Sequence, residues 1–248
     1  MSAVAVPRPS SRSPRYVGIA AELRERILDE HLAPHTLVPS ERELSEQFGV
    51  SRMTARQALM LLESEGHVYR RPPRGTFVAE PRVRFQIGSF SQEADRLGRH
   101  ASAQLLWAKA LTGVGNGATR TRTALGLADD DAVHAFRRLR LMEGEPLAIE
   151  TTYFPAALTP GILDVEADGS LWELLRERYG VRMTRSTAVI ESVVLDEESC
   201  DRLSVRAASS GMLLTRRTFD QDDRCVEFAR DVYRADRAAF EVSASVAR

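Results

Sequence analysis

The chain of 248 residues is poor in the features that staple a protein or anchor it in a bilayer. Its two cysteines, Cys200 and Cys225, cannot build a metal cluster by themselves and lack redox-motif spacing, so both are expected as free thiols. No stretch approaches the roughly 20 uninterrupted apolar residues of a membrane helix, and Met1 to Ser13 has no signal-peptide apolar core. No membrane partner is expected, and the expected location is the cytoplasm. His31 and His35 straddle Pro34, which breaks any shared helical face, and neither a metal nor another cofactor is expected. There is no G-x-S-x-G and no P-loop; Gly113 to Gly117 lacks the P-loop lysine and reads as a turn. Lysine occurs once, at Lys109, so nearly all of the 34 basic side chains are arginine, a bias that by itself does not point to nucleic acid.

What is present is a globular composition, 43% hydrophobic and 28% charged, enough for one large domain or two modest ones. The net charge of -1 conceals an uneven distribution. Residues 1–84 hold 13 arginines against 10 acids, whereas the remainder holds 21 basic against 25 acidic residues. The basic excess is N-terminal.

Residues 1–14, with Pro7, Pro9, Pro14, Arg8 and Arg12 and no apolar period, predict a flexible basic arm. From Tyr16, Ile19, Leu23, Ile27 and Leu28 recur at helical spacing up to Pro34. Ser40 and Glu43 form a capping box for a short helix that turns Leu44 and Phe48 inward and stops at Gly49. Ser51 caps a third helix, with Ala55, Ala58, Leu59 and Leu62 on one face and Arg52 and Arg56 on the other. This is a helix-turn-helix layout. A recognition helix enters the major groove N-terminus first, so Ser51, Arg52, Thr54 and Arg56 stand where bases and phosphates are met. Val68–Arg71 and Thr76–Val78 around Pro72-Pro73-Arg74-Gly75 predict a basic hairpin, placed as a winged helix places its wing.

Residues 81–88 read as a linker, and from 89 the pattern becomes strand-rich. Strands are expected at 105–111, 133–142, 147–154, 187–195, 212–219, 226–233 and 240–246, and helices at 90–97, 119–127, 170–179 and 197–203. Short connectors at 143–146 and 221–224 suit hairpins, so the sheet is expected to be mostly antiparallel and the fold class α+β. Arg138 and Arg140, two apart on one strand, share a face suited to a phosphate or carboxylate. Ser170 and the helix start it caps add an anion site. Glu150 and Glu227 can accept from ligand hydroxyl or amine groups, and Tyr233 can close the pocket. The plainer alternative is that each of these side chains serves packing, with Glu150 and Glu227 paired to cross-strand arginines such as Arg217.

Val38-Pro-Ser-Glu-Arg-Glu-Leu44, Phe48-Gly-Val-Ser-Arg-Met-Thr-Ala-Arg-Gln-Ala-Leu59, Leu62-Glu-Ser-Glu-Gly66 and Gly75-Thr-Phe-Val78 resemble the GntR family of bacterial winged-helix regulators over residues 15–80. The resemblance implies operator contacts by Arg42, Arg52, Thr54 and Arg56, with Arg74 and Gly75 in the wing. It departs at Pro73, where the family's wing usually has glycine. Arg138-Leu-Arg140, Gly144-Glu-Pro-Leu-Ala-Ile-Glu150, Ser170-Leu-Trp-Glu-Leu-Leu175, Tyr179-Gly180 and the run Val226 to Arg237 resemble the effector domain of the HutC-like branch, called UTRA, which is similar in fold to chorismate lyase. The resemblance carries effector contacts onto Arg138, Arg140 and Ser170 for an anion, onto Glu150, Glu227 and Tyr233 for the remainder, and onto Ser91 in the loop at the pocket's mouth. Trp172 stands where amino-sugar-phosphate-responsive relatives have tyrosine.

The expectation is therefore a homodimeric, ligand-responsive regulator of double-stranded operator DNA: a winged helix-turn-helix at 15–80, a linker at 81–88, and at 89–248 a chorismate-lyase-like, mostly antiparallel sheet with flanking helices that binds a small anionic effector and dimerises. Two other classes are compatible with these residues: an architectural DNA-binding protein without a ligand, and a lyase-like enzyme using Glu150 or Glu227, which fold similarity alone does not support.

Overall fold

The computed structural model describes residues 14–112 and 116–243. The expected basic arm, apart from Pro14, lies outside them, as do residues 244–246 of the last expected strand. The chain forms two compact units divided between Arg82 and Val83.

In the first unit, α1 (Arg15–Asp29) buries Ile19, Leu23 and Ile27 against α3 (Arg52–Ser64), and α2 (Glu41–Phe48) adds Leu44 to the same core. Both caps form as expected. The Ser40 hydroxyl accepts from the Glu43 amide while the Glu43 carboxylate accepts from the Ser40 amide, and Gly49 closes α2 at φ +59°. The Ser51 hydroxyl accepts from the Thr54 amide, 3.1 Å. An antiparallel hairpin of β1 (Val68–Arg71) and β2 (Gly75–Val78) follows. Its outer edge is extended by the segment before α2, through Val38 N–H to Thr76 O and Val78 N–H to Thr36 O.

The second unit opens earlier than the sequence suggests. Within the stretch read as a linker, β3 (Val83–Phe85) pairs in parallel with β10 (Ala238–Phe240). Three residues are too few to show a period, and the partner lies more than 150 positions away, so no local signal marks this strand. After α4 (Phe90–Arg96) come β4 (Ala101–Leu111), α5 (Asn116–Leu125), β5 (Val133–Met142), β6 (Glu145–Pro155), α6 (Leu171–Tyr179), β7 (Met183–Val194), α7 (Glu197–Arg202), β8 (Ser210–Asp220) and β9 (Cys225–Arg234). Of the stretch read as a turn at 113–117, Asn116 and Gly117 are described, and they open α5. The last expected strand is reached early, ending at Phe240.

The six long strands form one antiparallel sheet in the order β4-β5-β6-β9-β8-β7. The β5–β6 turn places Glu143 and Gly144 at φ +52° and +77°, the pair of positive values that a tight hairpin between right-twisted strands needs.

Each face of this sheet has apolar pads at its two ends and a polar strip between them. On the inner face, α6 covers Phe136 and Phe154, while β3, β10 and α4 cover Met142, Ala148 and Leu214. On the outer face, α5 covers Tyr153 and Phe228, and α7 covers Leu139, Ile149 and Val232. Strand period then assigns the strips: Arg138, Glu150, Asp231 and Arg216 inward, Arg137, Thr151, Arg230 and Thr215 outward.

Phe85 is the keystone of the β3 pad, with ring centroids 5.4 Å from Phe90, 5.4 Å from Tyr233 and 6.2 Å from Phe240. Phe85→Ala is expected to lower the stability of the second unit by about 3–5 kcal/mol, read by chemical denaturation with fluorescence detection. A loss within 0.5 kcal/mol, on the order of a surface change, contradicts the assignment of β3 to that core.

Candidate DNA-binding and effector-binding sites

At the N-terminal end of α3, Ser51, Arg52 and Arg56 are exposed and Thr54 is half-buried; Arg52 and Arg56 make no side-chain hydrogen bond or ion pair among the described residues. Ala55, Ala58 and Leu59 of the same helix are buried. Arg42 on α2 is exposed too, but its guanidinium grips Glu46 at 2.9 Å, one helical turn on. Arg71 and Arg74 project from the hairpin tip, whereas Arg70 does not. It folds back to Glu41 (3.2 Å) and Glu63 (3.7 Å), so the basic hairpin offers two arginines rather than the three its sequence contains. The tip includes the cis peptide between Pro72 and Pro73. Gly75 holds φ +125° there, a backbone conformation that strains any side chain.

The second site is the inner strip of the sheet. Arg138, Arg140, Glu150, Glu227 and Tyr233, expected at a ligand site, all lie on this face and are all buried. Arg138 and Glu150 are direct cross-strand partners. Arg138 Nε donates to Glu150 Oε2 at 2.8 Å, Nη2 donates to the same oxygen, and Nη1 donates to the carbonyls of Ala167 (3.1 Å) and Gly169 (2.7 Å). Every arm of Arg138 is engaged. Arg140 is less well satisfied: Nη2 reaches Ser91 Oγ at 2.9 Å, Nη1 stands 3.4 Å from Glu150, and the buried Nε has no partner. The guanidinium lies over the Phe90 ring at 4.5 Å. Ser170 caps α6 by accepting from the Glu173 amide, 3.3 Å.

Glu227 is held by Trp172, expected at the site, and by Arg216 and Thr218, which sequence reasoning missed. Arg216 Nε and Nη2 each donate to it at 3.3 Å, Thr218 Oγ1 at 2.6 Å, and Trp172 Nε1 at 2.9 Å. The cross-strand arginine is therefore Arg216 and not Arg217, which is exposed on the outer face opposite Phe228. Arg216 Nη1 also donates to the Gly88 carbonyl (2.9 Å) and stands 3.6 Å from Asp231. Asp231 was missed as well, although the period of two from Glu227 through Ala229 to Tyr233 puts it on this face.

Charge in this strip is unevenly settled. Burial opposes ionisation of Glu150, but the neighbouring Arg138 and Arg140 outweigh it and hold the carboxyl at about 2. Burial pushes Asp231 up to about 8, against the pull of Arg216 and with the push of Glu150 and Glu227. Its Oδ1 is buried without a partner. Burial, with Asp231 nearby, also raises the Tyr233 phenol. Below its midpoint Asp231 is protonated and adds no negative charge beside Arg216.

A helix-turn-helix with free arginines at the head of its recognition helix, followed by a sheet domain with an arginine-rich buried strip, defines a two-domain DNA-binding regulator. Residues 15–78 match the family of bacterial regulatory proteins called gntR, and residues 118–239 match the UTRA domain. The HTH-type transcriptional repressor NagR of Bacillus subtilis is 30% identical over 92% of this chain and 93% of that protein. The repressor PhnF of Mycolicibacterium smegmatis is 34% identical, with 82% of each chain covered. The crystal structure of PhnF aligns with a TM-score of 0.64 at 33% identity, covering 92% of this chain and 100% of that one. The chain belongs to the GntR family, in its HutC-like branch with a UTRA effector domain; it is a transcriptional regulator and not an enzyme.

The buried acids set opposite pH dependences. Between the ordinary Asp value of 3.8 and about 8, unfolded Asp231 has lost a proton that the folded chain keeps, so stability from this group falls as pH rises through that window. Glu150 acts in reverse, losing its contribution as pH falls from 4.5 towards 2. Asp231→Asn is expected to raise the melting temperature of the second unit more at pH 8 than at pH 5. An equal offset at both pH values contradicts the protonated state of Asp231.

Proposed function

We propose that this protein is a transcriptional repressor that binds a pseudo-palindromic operator as a homodimer and is released by a small anionic metabolite, with sugar phosphates and amino-sugar phosphates the favoured class. On this reading each α3 enters the major groove. Arg52 and Arg56 grip base edges or phosphates there, Ser51 and Thr54 take phosphate, Arg42 contributes from α2 by exchanging Glu46 for DNA, and Arg74 and Gly75 follow the minor groove. The free state of Arg52 and Arg56 supports this assignment. No helix among the described residues is long and apolar enough to cross a membrane, and the working location is the bacterial cytoplasm, where operator DNA lies.

The observation that carries the effector reading is the incompletely bonded Arg140 of the inner strip: its Nε is buried and unpartnered, its Nη2 is held only by Ser91, and Ser170 at the head of α6 follows the Gly169 carbonyl that Arg138 grips. An anion there replaces weak contacts, whereas Arg138 is already engaged and acts as the fixed floor. Trp172 donates its indole N–H to Glu227, so this position does not offer the hydroxyl that a tyrosine brings to a phosphate. The sugar's own hydroxyl or amine groups compete instead for Glu150 and Glu227, with Tyr233 closing the site.

The same residues supply a route for release. Arg140 holds Ser91 and Arg216 holds the Gly88 carbonyl, clamping the segment that runs from β3 into α4 and therefore from the unit boundary. An anion that draws Arg140 away loosens this clamp, and ligand and operator oppose each other by about 1–3 kcal/mol.

With an operator selected from genomic fragments, Arg52→Ala is expected to weaken binding by about 1–3 kcal/mol and to relax base preference. An unchanged titration removes the α3 assignment. Arg140→Gln, which removes the same hold on Ser91, is expected to lower operator affinity towards its ligand-bound level and to abolish any further release by glucosamine 6-phosphate or whichever sugar phosphate of a screened panel is active on the unaltered protein. A panel in which no phosphorylated sugar changes operator affinity leaves a DNA binder without this control and overturns the effector reading.

A further inference from the structure

We infer that the outer face of the sheet carries a second binding site, for a small oxyanion held between Arg137 and Arg230. These arginines occupy one cross-strand row, Arg137 beside Thr151 and Thr151 beside Arg230. They line a cavity of about 370 Å³, within the range of small-molecule sites, with Trp107 at one end and Leu213 and Val232 in its wall.

The two guanidinium groups are poorly satisfied for their depth. The Nε atoms of both are buried and have no hydrogen-bond partner. Among the described residues Arg137 forms one ion pair, with Glu198 at 3.5 Å, and Glu198 also accepts from Arg202 at 2.9 Å. No ion pair to Arg230 occurs among the described residues. Asp196, which also lines the cavity, accepts the α7 cap bond from the Ser199 amide at 2.8 Å; hydrogen bonding from Ser199, with Arg137 nearby, holds its carboxyl below the usual range. Thr151 and Tyr153 line the same cavity, and burial raises the Tyr153 phenol against the pull of Arg230 and Arg137, so it remains a donor. A phosphate or carboxylate seated between the arginines gains charge-assisted bonds on two sides and meets no free acid in the row. This site is distinct from the inner strip. Arg137 and Arg138, and likewise Arg230 and Asp231, are sequence neighbours on opposite faces, so the sheet itself separates the two.

The two tryptophans separate the sites experimentally, since Trp107 lines the outer cavity and Trp172 the inner strip. In a full-length Trp172→Phe background, titration of inorganic phosphate at constant ionic strength is expected to give a saturable change in Trp107 emission, with succinate as the carboxylate arm. Response to phosphate alone, to succinate alone or to both identifies the oxyanion. The change is expected to vanish in Arg230→Gln, to weaken in Arg230→Lys, which keeps the charge but not the planar fork, and to persist in Arg140→Gln. Circular dichroism verifies that each variant folds, and Arg137→Gln replaces any that does not. No saturable response to either anion overturns the proposal, as does a response that survives Arg230→Gln or is lost with Arg140→Gln. Sedimentation run alongside is expected to show constant mass; a mass change tracking the anion assigns the cavity to contact between copies and likewise overturns it.

Discussion

The second domain depends on the bond between Arg138 and Glu150. A guanidinium and a carboxylate at neighbouring positions of adjacent strands are both removed from water, and each is tolerable only because the other is there. Arg138 extends the arrangement to the carbonyls of Ala167 and Gly169, tying the segment before α6 to the sheet. Such a pair contributes little net stability compared with apolar side chains of equal volume, so its retention at the centre of a sheet favours a role in specificity. Around this fixed pair the less settled groups, Arg140 and Asp231, each keep a buried atom without a partner.

That difference between settled and unsettled groups gives the domain its direction. Apolar pads at the two ends of the inner face are packed by rings and aliphatic side chains and resist change, whereas the strip between them is held by polar bonds that an anion can exchange. Two of those bonds, to Ser91 and to the Gly88 carbonyl, fasten the stretch of chain nearest the DNA-binding unit in sequence. On the proposed reading, ligand chemistry and chain connectivity meet at the start of α4.

Much of this was legible in the sequence because it is local. Capping residues located α2, α3 and α6, and the period of two put Arg138 and Arg140 on one face and Glu150 on a neighbouring strand. What was missed is non-local. Arg216 and Arg217 are adjacent, and only the register with β9 decides that Arg216 meets Glu227 while Arg217 faces outward. Arg70 looks like a wing residue until the hairpin's position beside Glu41 and Glu63 turns it inward. Val83–Phe85 has no strand character without β10 to pair with.

The central claim is that an anion at the inner strip loosens the start of α4. Hydrogen–deuterium exchange of residues 83–96, measured with and without a sugar phosphate that releases the operator, tests it most directly. The account predicts faster amide exchange across this segment when the ligand is bound, with the pads under α6 unchanged. Equal protection of residues 83–96 in the free and bound states, while operator affinity still falls, would contradict it.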